Sequence, residues 1–179
     1  GPVRPLTPEE ESQFLKGRQV FDRDFGFEAG VGNPGFNGDS CRGCHFEPAV
    51  GGAGPRGTNV IRHAILDTSG VFAPATIGTM LHKQTTVLGQ ANLPEEAANV
   101  FEHRQPPSTF GLGLVDALSE EVIIANADPD DEDGDGISGR VSLTDDGRVG
   151  RLGWKAEVPS IAEFVRDAVG AELGMTLPE

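Results

Sequence analysis

The sequence predicts a mostly α-helical fold with long Gly/Pro-rich loop insertions. Helix signals are clearest near the two ends of the chain, and the long stretch after the first helix lacks any period. The 179 residues include 25 glycines and 13 prolines, and only 37% are hydrophobic, which favours short helices and ordered loops over a strand-rich sandwich. The length fits one domain over residues 1–179, and we expect a bound cofactor or metal ion to help hold the loops.

The first helix is predicted in "LTPEEESQFLKGRQVF". Thr7 caps the helix, Pro8 suits its first turn, and Glu10 lies three residues after the cap. One face then carries three residues at helical spacing: Phe14, Gly17 and Phe21.

The last helix is predicted over residues 160–173. Ser160 is its cap, with Glu163 three residues later, and Gly170 to Gly174 end it. Its apolar face consists of Ile161, Phe164, Val165 and Ala168.

The middle of the chain carries weaker signals. Residues 22–57 have no periodicity and read as a long loop region. Short strands are predicted in "TNVIRHAIL" and "TTVL", and helices in "PEEAANVFEH" from Pro94 and "SEEVIIANA" from Ser119.

The segment "NGDSCRGCHFEPAVGGAG", residues 37–54, holds both cysteines of the chain in a Cys-x-x-Cys-His motif: Cys41, Cys44 and His45. The motif is typical of haem c, with two thioethers from the cysteines and His45 as the proximal iron ligand. A thioredoxin-like pair is expected near a βαβ unit, and zinc needs four ligands; the sequence shows neither pattern. A plain disulfide is the remaining alternative.

The haem motif makes the terminal helices resemble those of c-type cytochromes. In that arrangement Gly17 lets the last helix cross closely and Phe21 packs at the crossing, so we expect a cytochrome c-like core with loop insertions. Haem c is attached outside the cytoplasm, which implies a periplasmic or otherwise exported protein. The opening "GPVRPLTPEE" looks processed or cloned, which is compatible with the removal of a leader.

The charge and hydropathy of the chain limit its partners. The formal net charge is −14, and no basic patch is visible, so nucleic acid is not expected as a partner. No apolar run approaches the ~18 residues of a transmembrane segment. The charge favours a redox partner with a basic docking surface and salt-sensitive association.

The loop "DPDDEDGDGISG", residues 128–139, predicts a calcium site. Asp131, Asp133 and Asp135 alternate as in the first half of an EF-hand loop, followed by the Ile137 carbonyl. Ser142 stands where an EF-hand carries its bidentate Glu, so further ligands would come from elsewhere, Asp128 or water among them. The alternative is a solvated run of like charge.

The distal iron ligand decides the function. Met80 follows His45 at a reasonable loop length, and a thioether ligand suits an electron carrier. The other candidates are Met175, His63, His82 and His103. If the distal position is vacant, peroxide could bind there, and Gln105 and Asp116 are then the acid–base candidates.

Three segments carry a family resemblance: "GFNGDSCRGCH…GG", "RQPPSTFGLGLVDALSEEVIIANADPDDEDGDGISGR" and "GRLGWKAEVPSIAEFVRDAVGAELGMT". Together they resemble the di-haem oxidoreductase family, also known as thiol oxidoreductases, distant relatives of the bacterial di-haem cytochrome c peroxidases. Family members are longer and carry a second Cys-x-x-Cys-His motif, so the resemblance is to the first, one-haem half. It implies that Arg104 contacts a haem propionate.

Three functions follow as hypotheses. The first is a mono-haem c-type cytochrome that transfers electrons outside the cytoplasm. The second is a peroxidase-like haem oxidoreductase or its haem-bearing half. The third is a haem subunit docked in a larger electron-transfer assembly.

Overall fold

The chain folds into two compact units, Gly1–Thr109 with Val169–Glu179 and Phe110–Ala168. A computed structural model describes residues 2, 4–32, 34–76, 78–88 and 93–176. The fold of these residues is mixed, with 27% helix and 17% strand in two antiparallel sheets and four helices. The predicted mostly α fold with a cytochrome c-like core is therefore wrong. The reason lies mainly in strand pairing, because the strand predicted in "TNVIRHAIL" belongs to a four-stranded sheet and residues 100–104 form a strand of that sheet where a helix was predicted.

Helix α1 (Pro8–Asp22) begins as predicted. The Glu10 N–H donates to Thr7 Oγ1 at 3.3 Å, and the Thr7 N–H donates to Glu10 Oε2 at 2.9 Å, which completes the capping box. No residue of α1 is buried, and nothing lies within 4 Å of a Cβ built on Gly17. The predicted close helix crossing at Gly17 is therefore wrong. Helix α1 forms from its local capping contacts and has no closely packed helix at Gly17 within the described structure.

The larger sheet is built around strand β2 (Val60–Leu66), which confirms the strand predicted in "TNVIRHAIL". Its antiparallel neighbours are β3 (Phe72–Pro74), β4 (Met80–Leu81) and β6 (Val100–Arg104). In this register Arg62 lies directly opposite Met80. A second sheet pairs β1 (Gly35–Phe36) with β5 (Gln84–Thr85).

The helix predicted from Pro94 is wrong, because the second half of that segment is strand β6. Burial alternates along β6 between half-buried and exposed residues, which is the two-residue period of a strand. All five residues of β6 pair with β2, so sheet pairing outweighs the local helix signal. The Glu95 carboxylate, near the expected helix start, accepts a hydrogen bond from Thr76 N–H at 2.6 Å.

Helix α4 (Ile161–Leu173) begins after Ser160, as predicted. The Glu163 N–H donates to Ser160 Oγ at 3.3 Å, and the Ser160 hydroxyl donates to Glu163 Oε1 at 3.0 Å. The helix continues through Gly170 and ends before Gly174, whose φ of +64° lies in the left-handed region that favours glycine.

The second unit contains α2 (Leu112–Asp116), α3 (Glu120–Ala125) and the first part of α4, and α3 confirms the helix predicted from Ser119. Its buried apolar residues are Val149, Leu152 and Val158. In the first unit they are Val31, Phe36, Ala75 and Leu173. No helix in the described part of the chain has the length and apolarity that a bilayer crossing needs.

Candidate haem-attachment site and acidic loop

The Cys-x-x-Cys-His motif forms a tight turn in the first unit. The Cys44 and His45 N–H groups both donate to the Cys41 carbonyl, at 3.2 and 3.1 Å. Both thiols are free and half-buried. The structure therefore presents two unlinked thiols and an imidazole on one turn of chain, rather than a disulfide.

Burial raises the pKa of both thiols above the usual range. For Cys44, Lys83 opposes this shift and Glu172 reinforces it. A catalytic dithiol needs a thiolate with a lowered pKa, and zinc also binds thiolates. Within the described residues, the one group of three or more convergent ligand side chains does not include the cysteines. The site therefore favours neither a thioredoxin-like pair nor zinc.

The His45 ring is oriented by a backbone carbonyl. Its Nδ1 lies 2.8 Å from Pro107 O, and because a carbonyl can only accept, Nδ1 carries the hydrogen and donates. The lone pair is therefore on Nε2. The Phe21 ring lies beside the imidazole, with centroids 6.3 Å apart. A histidine that donates one nitrogen to a carbonyl and keeps the other free is arranged as a metal ligand.

Hydrogen bonds hold the segment that carries Pro107 against residues 51–54, which follow the Cys-x-x-Cys-His motif. Gln105 Nε2 donates to Gly54 O at 2.6 Å, and Gly54 N–H donates to Pro106 O at 3.0 Å. Thr109 donates from both N–H and Oγ1 to Gly51 O, at 2.8 and 2.7 Å. The loop needs glycine at Gly54, because a Cβ there would lie 2.4 Å from the Cys44 carbonyl oxygen.

The other residues predicted around the haem have protein partners. The Arg104 guanidinium pairs with the Glu102 carboxylate at 2.5 Å, and its side chain is 25% exposed. Asp116 Oδ1 accepts from Ile161 N–H at 2.8 Å, at the start of α4. Gln105 and Asp116 thus both bind backbone groups, and they belong to different units.

Met80 lies in β4 of the larger sheet, opposite Arg62. Its Sδ accepts a hydrogen bond from Asn37 Nδ2 at 3.3 Å. Asn37 precedes Gly38, where an added Cβ would lie 3.8 Å from Cys44 Sγ. Asn37 also binds Lys83 and Glu172, whose charges act on the Cys44 thiol. These contacts connect Met80 to the attachment site.

His63 projects from the opposite face of the sheet. Arg62 and Met80 are directly opposite each other, and successive side chains of a strand alternate between faces. His63 is 2% exposed, and neither ring nitrogen has a hydrogen-bond partner within the described structure. Met80 and His63 therefore cannot both ligate one iron from this sheet.

The remaining distal candidates differ in their contacts. His82 Nε2 lies 2.9 Å from Ala171 O, so that nitrogen is engaged. His103 is exposed on β6 and lies opposite Ile61, on the His63 face. Met175 follows α4, and its N–H donates to Val169 O at 3.2 Å. Met80 is thus the candidate whose sulfur binds a side chain, Asn37, that lies next to the loop of the cysteines.

The acidic loop gathers three carboxylates in the second unit. Asp128, Asp131 and Asp133 each offer an oxygen within 4.8 Å of the others. Two of the predicted calcium ligands, Asp131 and Asp133, thus lie close to Asp128. Asp135 lies outside this group, and its Oδ1 accepts a hydrogen bond from Ile137 N–H at 2.8 Å. Three close carboxylates form a hard oxygen donor set of the kind Ca²⁺ prefers.

Local hydrogen bonds shape this loop. Asp128 Oδ1 accepts from Glu132 N–H at 2.9 Å, and Asp131 Oδ1 accepts from Gly136 N–H at 3.0 Å. The Asp128 N–H closes the loop by donating to Gly139 O at 2.8 Å. The carboxylates are therefore held together by the backbone of the loop itself.

Sequence reasoning missed Asn37 and the role of Pro107. Asn37 lies in a Gly-rich loop without a local signal, and Pro107 contributes a carbonyl that any residue has. Comparison with protein families, curated proteins and solved structures found no match.

Proposed function

We propose that the chain is a mono-haem c-type cytochrome that transfers electrons outside the cytoplasm. The observation that carries the proposal is the 2.8 Å hydrogen bond from His45 Nδ1 to Pro107 O, next to two unlinked thiols. The bond leaves Nε2 as the acceptor, which is the state in which histidine binds iron. A disulfide, a dithiol redox pair and a zinc site are each less well supported by the same contacts.

The residues of the motif fit a covalently attached haem c. Cys41 and Cys44 would each hold the haem through a thioether formed by addition of S–H across a vinyl group, an addition that needs no oxidant or reductant. His45 Nε2 would be the proximal iron ligand, with the Phe21 ring tilted beside the imidazole. When bound, the haem supplies a one-electron iron couple.

We propose Met80 as the distal ligand. Its sulfur is oriented by Asn37, which also contacts Lys83 and Glu172 near Cys44. Methionine opposite histidine is the ligand pair of electron-carrying cytochromes c and raises the reduction potential. The peroxidase alternative requires acid–base groups, and Gln105 and Asp116 are engaged with backbone atoms. The electron carrier is therefore the better supported function.

Three further proposals follow from the same site. The quoted motifs support kinship with the di-haem oxidoreductase family, with this chain corresponding to a one-haem half. Attachment of haem c outside the cytoplasm supports a periplasmic or otherwise exported location. The net charge of −14 supports a redox partner with a basic docking surface and an association rate that falls as salt increases.

We also propose a structural Ca²⁺ bound by Asp128, Asp131 and Asp133. The convergence of their oxygens within 4.8 Å supports this site. A divalent cation would offset the repulsion among three carboxylates and stabilise the loop.

Absorption spectra of the oxidised and reduced protein test the main proposal. We expect a low-spin haem spectrum and a weak far-red sulfur-to-iron band in the oxidised form. Met80→Ala should abolish this band, whereas the control Met175→Ala should keep it. A high-spin spectrum that responds to peroxide in the unaltered protein would contradict the electron-carrier proposal and favour the peroxidase alternative.

A further inference from the structure

Asn37 is a buried amide whose hydrogen-bonding groups are all engaged. It is 7% exposed. Its Oδ1 accepts from Lys83 N–H at 3.0 Å, and its Nδ2 donates to Glu172 Oε2 at 2.7 Å and to Met80 Sδ at 3.3 Å. These contacts use both amide hydrogens and the carbonyl oxygen.

The surroundings determine which way the Asn37 amide points. If the amide were turned over, Oδ1 would face the Glu172 carboxylate, and the NH₂ group would face the Lys83 N–H. Both contacts would be repulsive, because an acceptor would meet an acceptor and a donor would meet a donor. Glu172 and Lys83 therefore ensure that a hydrogen-bond donor points at the Met80 sulfur.

We propose that Asn37 is a positioning residue that fixes the Met80 sulfur by a hydrogen bond and would raise the reduction potential of a haem iron bound by that sulfur. The inference rests on the proposed haem function and on Met80 as ligand. A thioether sulfur has two lone pairs; the bond from Asn37 engages one and leaves the other for the metal. The N–H also withdraws electron density from the sulfur, so Met80 is a weaker donor. When the sulfur donates less electron density, the ferric state loses more stability than the ferrous state, and this difference favours reduction.

The haem-loaded protein with Asn37→Leu tests the inference. Leucine is similar in size and lacks the N–H groups, so the sulfur loses its hydrogen bond. We expect the reduction equilibrium to shift toward the ferric form by up to about tenfold, because the loss of one hydrogen bond sets the upper limit; a tenfold shift corresponds to about 59 mV for one electron. The far-red band should also move or weaken.

Two further variants separate this role from a structural one. Asn99→Leu removes a second asparagine of the same unit, which binds the Leu66 backbone through two 2.8 Å hydrogen bonds and no sulfur. We expect it to lower stability without moving the potential. In a Glu172→Gln background, the shift caused by Asn37→Leu should persist, because the Lys83 N–H still donates to Asn37 Oδ1 and the glutamine oxygen can accept from Nδ2 as the Glu172 carboxylate does.

The outcomes distinguish this inference from the proposed function. If the far-red band is lost in Met80→Ala but neither band nor potential changes in Asn37→Leu, only the role of Asn37 is overturned. If the unaltered protein has no such band, both this inference and the proposed function are overturned. If Asn37→Leu does not fold, NMR of the unaltered protein decides. Asn37 side-chain protons that exchange slowly and shift on oxidation support the contact, and protons that exchange quickly without a shift overturn it.

Discussion

The proposed haem-attachment site and the acidic loop both bring together side chains that could bind a cofactor or metal, but through contacts of different range. His45 is oriented by a carbonyl 62 residues away, and Asn37 joins partners 43 and 135 residues away. In the acidic loop, side chain-to-backbone bonds of the aspartates span two to five residues. The first site exists only when distant segments meet, whereas the second forms within one short loop.

This difference predicts how each site responds to change. The attachment site depends on the fold of the first unit, so a substitution in the segment of residues 105–109 should affect iron ligation from a distance. The acidic loop depends on its own aspartates and should respond mainly to cations. The two sites should therefore fail independently, because the hydrogen bonds described for them have no partner in common, and sites without shared partners contribute additively.

The largest effect is expected from replacing both cysteines. Cys41→Ser with Cys44→Ser removes both sulfur atoms, so we expect complete loss of covalently bound haem in the mass of the denatured protein. Asp131→Asn with Asp133→Asn is the matched control and should retain the haem. Covalent haem in the serine variant would contradict the attachment site.

Calcium should give the next largest effect. At a Ca²⁺ concentration of one hundred times its dissociation constant, binding stabilises a protein by about 2.7 kcal/mol. For a chain of this size that corresponds to a rise in Tm of roughly 5–10 °C, measured by calorimetry with Ca²⁺ and with chelator. Asp131→Asn with Asp133→Asn should abolish the rise. An equal rise in that variant would place the cation elsewhere.

A smaller effect is expected from Gln105→Leu. The change removes the 2.6 Å bond to Gly54 O and should lower the free energy of unfolding by about 1–3 kcal/mol, because a half-buried carbonyl loses its partner. It should also broaden the haem spectrum, since Pro107 then holds His45 less firmly. Gln19→Leu on the exposed α1 is the control, with a change within about 0.5 kcal/mol. Equal stability losses in the two variants would argue against the long-range support of His45.

The smallest effect concerns Glu10, whose contacts are as local as those of the acidic loop. Arg4 and the Thr7 N–H lower the pKa of Glu10 from 4.5 to about 2. A carboxyl with a lowered pKa stabilises the folded state above its unfolded pKa. This contribution should therefore be complete above about pH 4.5 and be lost as the pH falls through about 2.

Hydrogen exchange in the first turn of α1 measures the Glu10 effect. Exchange should become faster as the pH is lowered toward 2, after correction for the intrinsic rate. Glu10→Gln should remove this dependence, while Glu9→Gln should keep it. A pH dependence that survives Glu10→Gln would show that another group controls the helix start.

Local chemistry allowed several elements to be predicted. The starts of α1 and α4 follow from Thr7 with Glu10 and Ser160 with Glu163, because a cap and its partner are three residues apart. The run of β-branched and aliphatic residues predicted β2. The alternating aspartates brought Asp131 and Asp133 together, since the loop needs only its own backbone. The Cys-x-x-Cys-His turn is equally local.

Contacts between distant segments decided the rest. The observed fold class differs from the predicted one because β6 pairs along its whole length with β2. Strand pairing between segments about 40 residues apart leaves no local signal in the sequence. The same holds for the attachment site. The sequence alone determined which residues carry sulfur and imidazole. The tertiary structure decided that Pro107 orients His45 and that Asn37 meets Met80, because those hydrogen bonds exist only once the chain has brought remote segments together.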